Sequence, residues 1–242
     1  MTNTEKKQVT VRTQKIRKSH IRQKLIFFLV LAVLLILAAA FSDRLCPYDP
    51  NAQDLTSAMQ PPGPAHLMGT DTYGRDMLSR VISGARASIF STFILVAVIS
   101  VLGTAVGVLC GYFGGIVDSL MMRISDICLA FPGLVFAMAV AAVLGGGIQN
   151  AVIALAVISW PKYSRIARSQ TLALKNVPYI HAAILAGDSA GQLMIRHILP
   201  NMLGPVLVTA MLDIGTMMME LAGLSFLGLG AQIPTAEWGS MM

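Results

Sequence analysis

The sequence carries several separate apolar runs, each close to the length needed to cross a bilayer, and this restricts the possible folds more than any other feature. A hydrocarbon core of about 30 Å takes about 20 helical residues at a rise of about 1.5 Å each. Five segments meet or approach that length: 25–41, 88–111, 119–143, 148–163 and 203–224. The third is interrupted by Asp126 and Pro132, and the fourth is short. A soluble core in a chain of 242 residues could not hide five such runs. Lipid offers no partner to a free backbone N–H or C=O, so each run must be helical. The expected fold class is an all-α integral membrane protein, a polytopic helical bundle with about five spans.

Charge supports that reading and orients it. Only 12% of residues are charged, about half the share usual in soluble domains. The net charge of +6 would suit a nucleic-acid partner, but the basic residues flank the apolar runs, so no nucleic acid is expected. Placing the head, residues 1–24, in the cytoplasm puts fourteen of the eighteen Lys and Arg residues inside, including Arg123 and the group from Lys162 to Arg196. Arg44, Arg75, Arg80 and Arg86 fall outside among aspartates, which satisfies the positive-inside rule. The expected location is the plasma (inner) membrane of a prokaryote, multi-pass, with a cytoplasmic N-terminus. A basic head before an apolar run also describes a cleaved signal peptide. Here the head exceeds 20 residues and Ala38-Ala39-Ala40 is the single hint of a cleavage site, so 25–41 reads as an uncleaved anchor. The three cysteines, Cys46, Cys110 and Cys128, show no paired spacing and suggest neither a disulfide framework nor a zinc site.

The layout that follows is a basic head at 1–24, an anchor at 25–41, an outer connection at 42–87 and a membrane core at 88–242 with an inner loop at 164–202. Function is likeliest to sit in the two long connections. In the inner loop, Pro178 to Ile184 suits a short helix, with proline in the first turn and Asn176 as a cap. Gly187 breaks it, Asp188 or Ser189 can cap a second helix, and Pro200 closes the unit. Small Ala182 and Ala183 on an exposed face would let a partner's backbone approach closely.

The run His181-Ala182-Ala183, then Gly187, then Leu199-Pro200 resembles the "EAA" loop of ABC importer permeases, the coupling helix that enters the ATPase subunit. His181 stands where glutamate is usual, which puts that residue's polar contact in doubt but not the helix. Arg196-His197-Ile198-Leu199-Pro200-Asn201 is similar to the peptide-importer branch. In the outer connection, Gly69-Thr70-Asp71-Thr72-Tyr73-Gly74-Arg75-Asp76 resembles the signature before the second span of the peptide/nickel permeases. Its glycines and aspartates suit a tight turn and helix caps, with contact to a binding protein as the alternative role. Leu224 to Gly230 and Pro234 to Gly239 resemble the outer segment after the fifth span of the same family. The resemblance runs from about residue 45 to the end. It implies a pore subunit working with a second permease subunit, two ATP-binding-cassette ATPase subunits that hold ATP and Mg, an extracytoplasmic solute-binding protein and the lipid membrane. It also implies a sixth span after Gly239, which this sequence does not contain.

Carboxylates inside the apolar runs are the remaining functional candidates. Asp213 lies near the middle of the fifth segment, and Glu220 follows seven residues later on the same helical face, with Met217 near it. A carboxylate facing lipid costs at least about 2.5 kcal/mol, so these residues should face protein, water or substrate. Asp213 could line the translocation path and touch a cationic substrate, or it could bond a partner permease. The string Leu212 to Met218 looks more like the nickel-type permeases than the dipeptide type, which makes nickel (ion or chelate) one expected cargo and small peptides the other. No metal site is certain. Asp126 is expected to be a structural partner for Arg123, three residues back on one face, or for a neighbouring backbone group.

The chain contains no GxxxxGK[ST] loop and no nucleophile–base pair at credible spacing, so it is expected to be a pore subunit without cofactor, powered by its partners. A channel or an intramembrane enzyme would not need the inner helix–Gly–helix unit.

Overall fold

In the computed structural model the backbone is described from residue 3 to residue 242, and the side chains from residue 22 onward. The basic side chains of the head up to residue 21 lie outside the described residues. The described chain is helical, with no strand and one isolated bridge between Thr70 and Asp76.

Helix α1 (Asn3–Ala40) joins the head and the first apolar segment without a break. Its stretch from Arg22 to Ala40 is apolar and almost wholly exposed, with Leu25, Phe27, Phe28 and Leu34 open on its surface. A helix that is apolar all round and unpacked against protein is suited to lipid. It meets the bundle at its end, where Ala39 packs with Ala85 and Ile89. A one-turn helix α2 (Ser42–Leu45) and a 3-10 turn (Leu55–Ser57) follow.

Helix α3 (Met77–Phe113) starts three turns before the apolar segment expected at 88–111, so these turns lie within the 42–87 stretch. Asp76 caps it by accepting the Ser79 N–H, and its first turns carry Ser79, Arg80 and Arg86, which masked the helix as loop. Helices α4 (Gly115–Ala130) and α5 (Gly133–Val143) form the third passage and meet at 95° across Phe131-Pro132. The residue before a proline is pushed out of the helical region, and Phe131 is accordingly extended.

Helix α6 (Ile148–Lys175) extends the short fourth segment by twelve residues. Among the described residues, α1, α3 and the helix running from Ala190 to Phe226 are long and apolar enough to span a membrane, and the α4–α5 pair makes a fourth span if taken together. Helix α6 does not qualify on that test, although the chain passes along it from one end of the bundle to the other. The reason is its position. It packs against α3, α4, α5 and the last long helix, so protein rather than lipid surrounds Ser164, Ala167 and Thr171.

The α3–α6 seam is the most extensive helix–helix contact among the described residues. Gly103, Gly107 and Gly111 recur at one turn's spacing on α3, against Tyr163, Ala167 and Thr171 of α6. A Cβ on Gly103 would stand 2.4 Å from the Trp160 carbonyl oxygen and 2.6 Å from Tyr163 Cβ. Small residues that let backbones touch are the usual means of helix association in membranes, where burial of apolar surface drives little.

Beyond α6 come α7 (Pro178–Leu185), α8 (Ala190–Gln192), a π turn (Leu193–Ile198) and α9 (Leu199–Phe226), the last three forming one continuous helix. The Lys175 ammonium donates to the Tyr112 carbonyl, which places the end of α6, and so α7, at the end of the bundle opposite the 42–76 loop.

Candidate functional site

The outer-loop signature is a self-supporting knot. Gly69 and Gly74 both take positive φ, 74° and 72°. The carboxylate of Asp71 accepts from the Tyr73 and Arg75 N–H groups and from the Arg75 guanidinium, while Asp76 accepts from Ser79 and pairs with His66 at 2.9 Å. Burial works to raise both carboxyls, but these hydrogen bonds outweigh it and hold Asp71 and Asp76 below the ordinary aspartate value. Thr70 is buried and donates to the Ser57 carbonyl. Arg80 reaches the carbonyls of Pro50 and Pro234, tying this loop to the C-terminal segment. There Glu237, 2% exposed, accepts from Ser88 and Ser240, and the Trp238 indole N–H donates to the Val81 carbonyl. All six signature residues are thus occupied in holding the outer end together.

At the opposite end, α7 starts with Pro178 in its first turn, and Val177 rather than Asn176 occupies the cap position. Asn176 instead ends α6. Gly187 takes φ 95° and ends α7, and Ser189 with Gln192 forms a capping box on α8. His181 and Ala182 are exposed, as expected, and Leu185 is 89% exposed. Ala183 differs from expectation because it packs against the core beneath. Leu199 is half-buried and Pro200 exposed. Asp188 pairs with His197 at 2.9 Å, so this histidine fastens the loop to the next helix.

Between these ends lies a cavity of about 220 Å³, bounded by the α4–α5 bend, the middle of α6 and the second half of α9. Asp213, Met217 and Glu220, singled out from the sequence, all line it. Sequence reasoning assigned Lys162 to the cytoplasmic basic group, whereas the structure places it in this cavity. Its ammonium donates to Asp213 Oδ1 at 2.5 Å. The Asp213 side chain is 3% exposed and that of Lys162 52%, so a buried carboxylate is neutralised by a cation that still reaches open space. The other carboxylate oxygen, Oδ2, is buried without a hydrogen-bond partner, and so is the Tyr163 hydroxyl. Glu220 is half-buried and forms no ion pair with any described residue. The spacing of a lysine and an aspartate 51 residues apart gave the sequence no signal; only the packing of α6 on α9 joins them.

Asp126 does not pair with Arg123. It accepts from Arg165 of α6 at 2.5 Å, on an exposed surface, because α4 packs alongside α6. Asp118 receives a two-bond clasp from Arg168 one turn further along. Among the described residues, no group of three or more His, Cys, Asp or Glu is placed to hold a metal ion.

A bundle of helical passages beside a charged, half-open cavity, braced by a knot at one end and carrying a short exposed helix at the other, suits a membrane transport subunit. Residues 103–242 match the family of binding-protein-dependent transport system inner membrane components. The chain is 46% identical over 213 residues to the probable D,D-dipeptide transport system permease of Escherichia coli, covering 88% of this chain and 72% of the relative. It is 41% identical over 224 residues to the dipeptide permease of Haemophilus influenzae (90% and 75% covered). It is 42% identical over 214 residues to the glutathione permease of Pectobacterium atrosepticum (88% and 71% covered). Its fold is shared with a chain of the MetNI methionine ABC transporter in an inward-facing conformation, with a TM-score of 0.53 at 22% identity over 64% of this chain and 77% of that one. The chain belongs to the ABC importer permeases of the peptide/nickel family and is a multi-pass inner-membrane permease subunit. The matching relatives above are named for peptides, and the nickel subtype suggested by the residues around Asp213 gains no support from them.

Proposed function

We propose that this chain forms half of the translocation pore of an importer for short peptides. The observation that carries the reading is its likeness to peptide permeases over nearly nine-tenths of its length. A second permease completes the pore, two ATPases holding ATP and Mg supply energy, and an extracytoplasmic binding protein delivers substrate to the end that carries the 42–76 loop. The N-terminus and α7 then lie in the cytoplasm. Helix α7 is the coupling helix: His181, Ala182 and Leu185 present an exposed face that an ATPase groove can cover, while Ala183 and Ile180 hold the helix to the core. Closure of the ATPase pair pulls on α7 and moves the bundle between two packed states, which is alternating access.

The test is a Leu185→Asp variant in the reconstituted transporter. A charge in the docked interface should cut ATP-driven uptake of a radiolabelled dipeptide at least tenfold while the assembled complex still hydrolyses ATP. Undiminished uptake would remove α7 from the coupling role. Wild-type uptake of nickel but not of dipeptide would overturn the cargo assignment.

A further inference from the structure

We infer that the Lys162–Asp213 pair and Glu220 form a binding site for the two charged termini of a zwitterionic di- or tripeptide, inside the permease itself. This rests on the reading of the chain as a peptide permease.

The cavity offers one accessible cation and one accessible anion. Lys162 is half exposed and projects into it, and Glu220 is a carboxylate with no ionic partner among the described residues. Seven residues of α9 separate Glu220 from Asp213, a rise of about 10.5 Å between their Cα positions. The Lys162 ammonium sits at the Asp213 end of that interval. An extended peptide spans at most about 3.3–3.6 Å per residue. Two or three residues therefore bridge from Lys162 to Glu220 once the Glu220 side chain reaches inward, and longer peptides do not fit between them.

The buried partner shows how the site opens. Asp213 is 2% exposed, and its Oδ2 and the neighbouring Tyr163 hydroxyl are both buried without a hydrogen bond of ordinary geometry. When a peptide carboxylate draws the Lys162 ammonium away, the Tyr163 O–H can donate to Oδ2, so Asp213 is not left bare. Lys162 exchanges one carboxylate for another, and Glu220 receives the peptide ammonium. A permanent structural ion pair would need neither the free donor nor the cation's exposure. The exchange also makes occupancy weak, as transport requires, because the departing carboxylate always faces a competitor in Asp213.

The assay is direct binding of Ala-Ala, N-acetyl-Ala-Ala and Ala-Ala-amide to the purified, assembled transporter without its binding protein. Wild type should hold Ala-Ala at least tenfold more tightly than either blocked form. Glu220→Gln should lose its preference against the acetylated peptide alone, and Lys162→Gln its preference against the amide alone. Equal wild-type affinity for all three peptides, or variants that keep both preferences, would overturn the inference. Because Lys162→Gln strands a buried carboxylate and risks misassembly, a Lys162→Asp/Asp213→Lys double variant keeps the pair and reverses its polarity. It should lose at least tenfold in Ala-Ala affinity, and unchanged affinity would count against the site. Uptake of radiolabelled Ala-Ala by cells separates the two levels. Uptake that depends on this chain without terminus discrimination in binding sinks this site alone, whereas no uptake sinks the peptide reading and the site with it.

Discussion

Gly103→Ala is the substitution that most directly tests how this bundle is held. Two effects oppose each other. Replacing glycine by alanine within a helix favours folding by about 1 kcal/mol through propensity and chain entropy. At Gly103, however, the new Cβ lands 2.4 Å from the Trp160 carbonyl oxygen and 2.6 Å from Tyr163 Cβ, whereas ordinary contact starts at 3.4 Å. Helix α6 must withdraw by about 1.0 Å, and the atom in the way is backbone, which cannot rotate aside. Overpacking of this kind costs about 1–3 kcal/mol, and losing the tight seam with Ser164 and Ala167 further along adds to it. Sterics win, and the net effect should be a destabilisation of about 1–2 kcal/mol. The control is Gly215→Ala on α9, where no atom lies within 4 Å of the new methyl group. Cys110, buried on the same face of α3, supplies the readout. In a Cys46→Ser/Cys128→Ser background, its reaction with a thiol-specific dye on heating reports loss of the α3–α6 seam. Gly103→Ala should lower the midpoint by several degrees and Gly215→Ala should leave it in place or raise it. If Gly103→Ala matched or exceeded the parent, backbone contact at the seam would not be what holds α6.

Two further outcomes follow from the charges. Asp71 and Asp76 are held below their ordinary value in the folded loop, so their stabilisation is full above the unfolded value near 4 and is lost as pH falls through the lower folded value. Protease cleavage within residues 54–76 should be slow at pH 7 and accelerate below about pH 4, and a pH-independent rate would contradict the knot. Asp126→Ala, by contrast, breaks an ion pair whose side chains are 49% and 60% exposed, and should shift stability by less than about 1 kcal/mol in the same thiol assay, despite a bond length equal to that of Lys162–Asp213.

Sequence reading found the helices that face lipid and failed where protein replaces lipid. Helix α1 and the apolar parts of α3 and α9 announce themselves by length and composition. Helix α6 was read as short because Lys162, Arg165 and Arg168 end its apolar run, yet the helix continues to Lys175, with Ser164, Ala167 and Thr171 buried on one face. Similarly, α3 gains three turns whose polar side chains bond the outer loop and α2. Local caps were partly legible: Gly187 and Ser189 act where their chemistry suggests, while Asn176 was misplaced by one element. In the cavity, Asp213, Met217 and Glu220 shared a helical face and so could be grouped by period alone. Lys162 could not, because its partner lies on another helix and a basic residue beside an apolar run looks like a membrane-edge anchor. Asp126 shows the same limit, since its nearest arginine in sequence is not its nearest in space.

The 95° bend between α4 and α5 interrupts the backbone hydrogen-bond ladder within one passage. A straight span keeps its backbone polar groups to itself, but α5 begins afresh at Gly133, and the N–H groups of Gly133, Leu134 and Val135 have no carbonyl a turn earlier to accept them. Hydrocarbon cannot meet that demand, and such breaks persist only where they border protein or water. Phe131 and Gly133 border the same cavity as Lys162 and Asp213, so the break opens onto a polar space and not onto hydrocarbon. Water entering there would raise the local dielectric and loosen the grip of the Lys162–Asp213 pair.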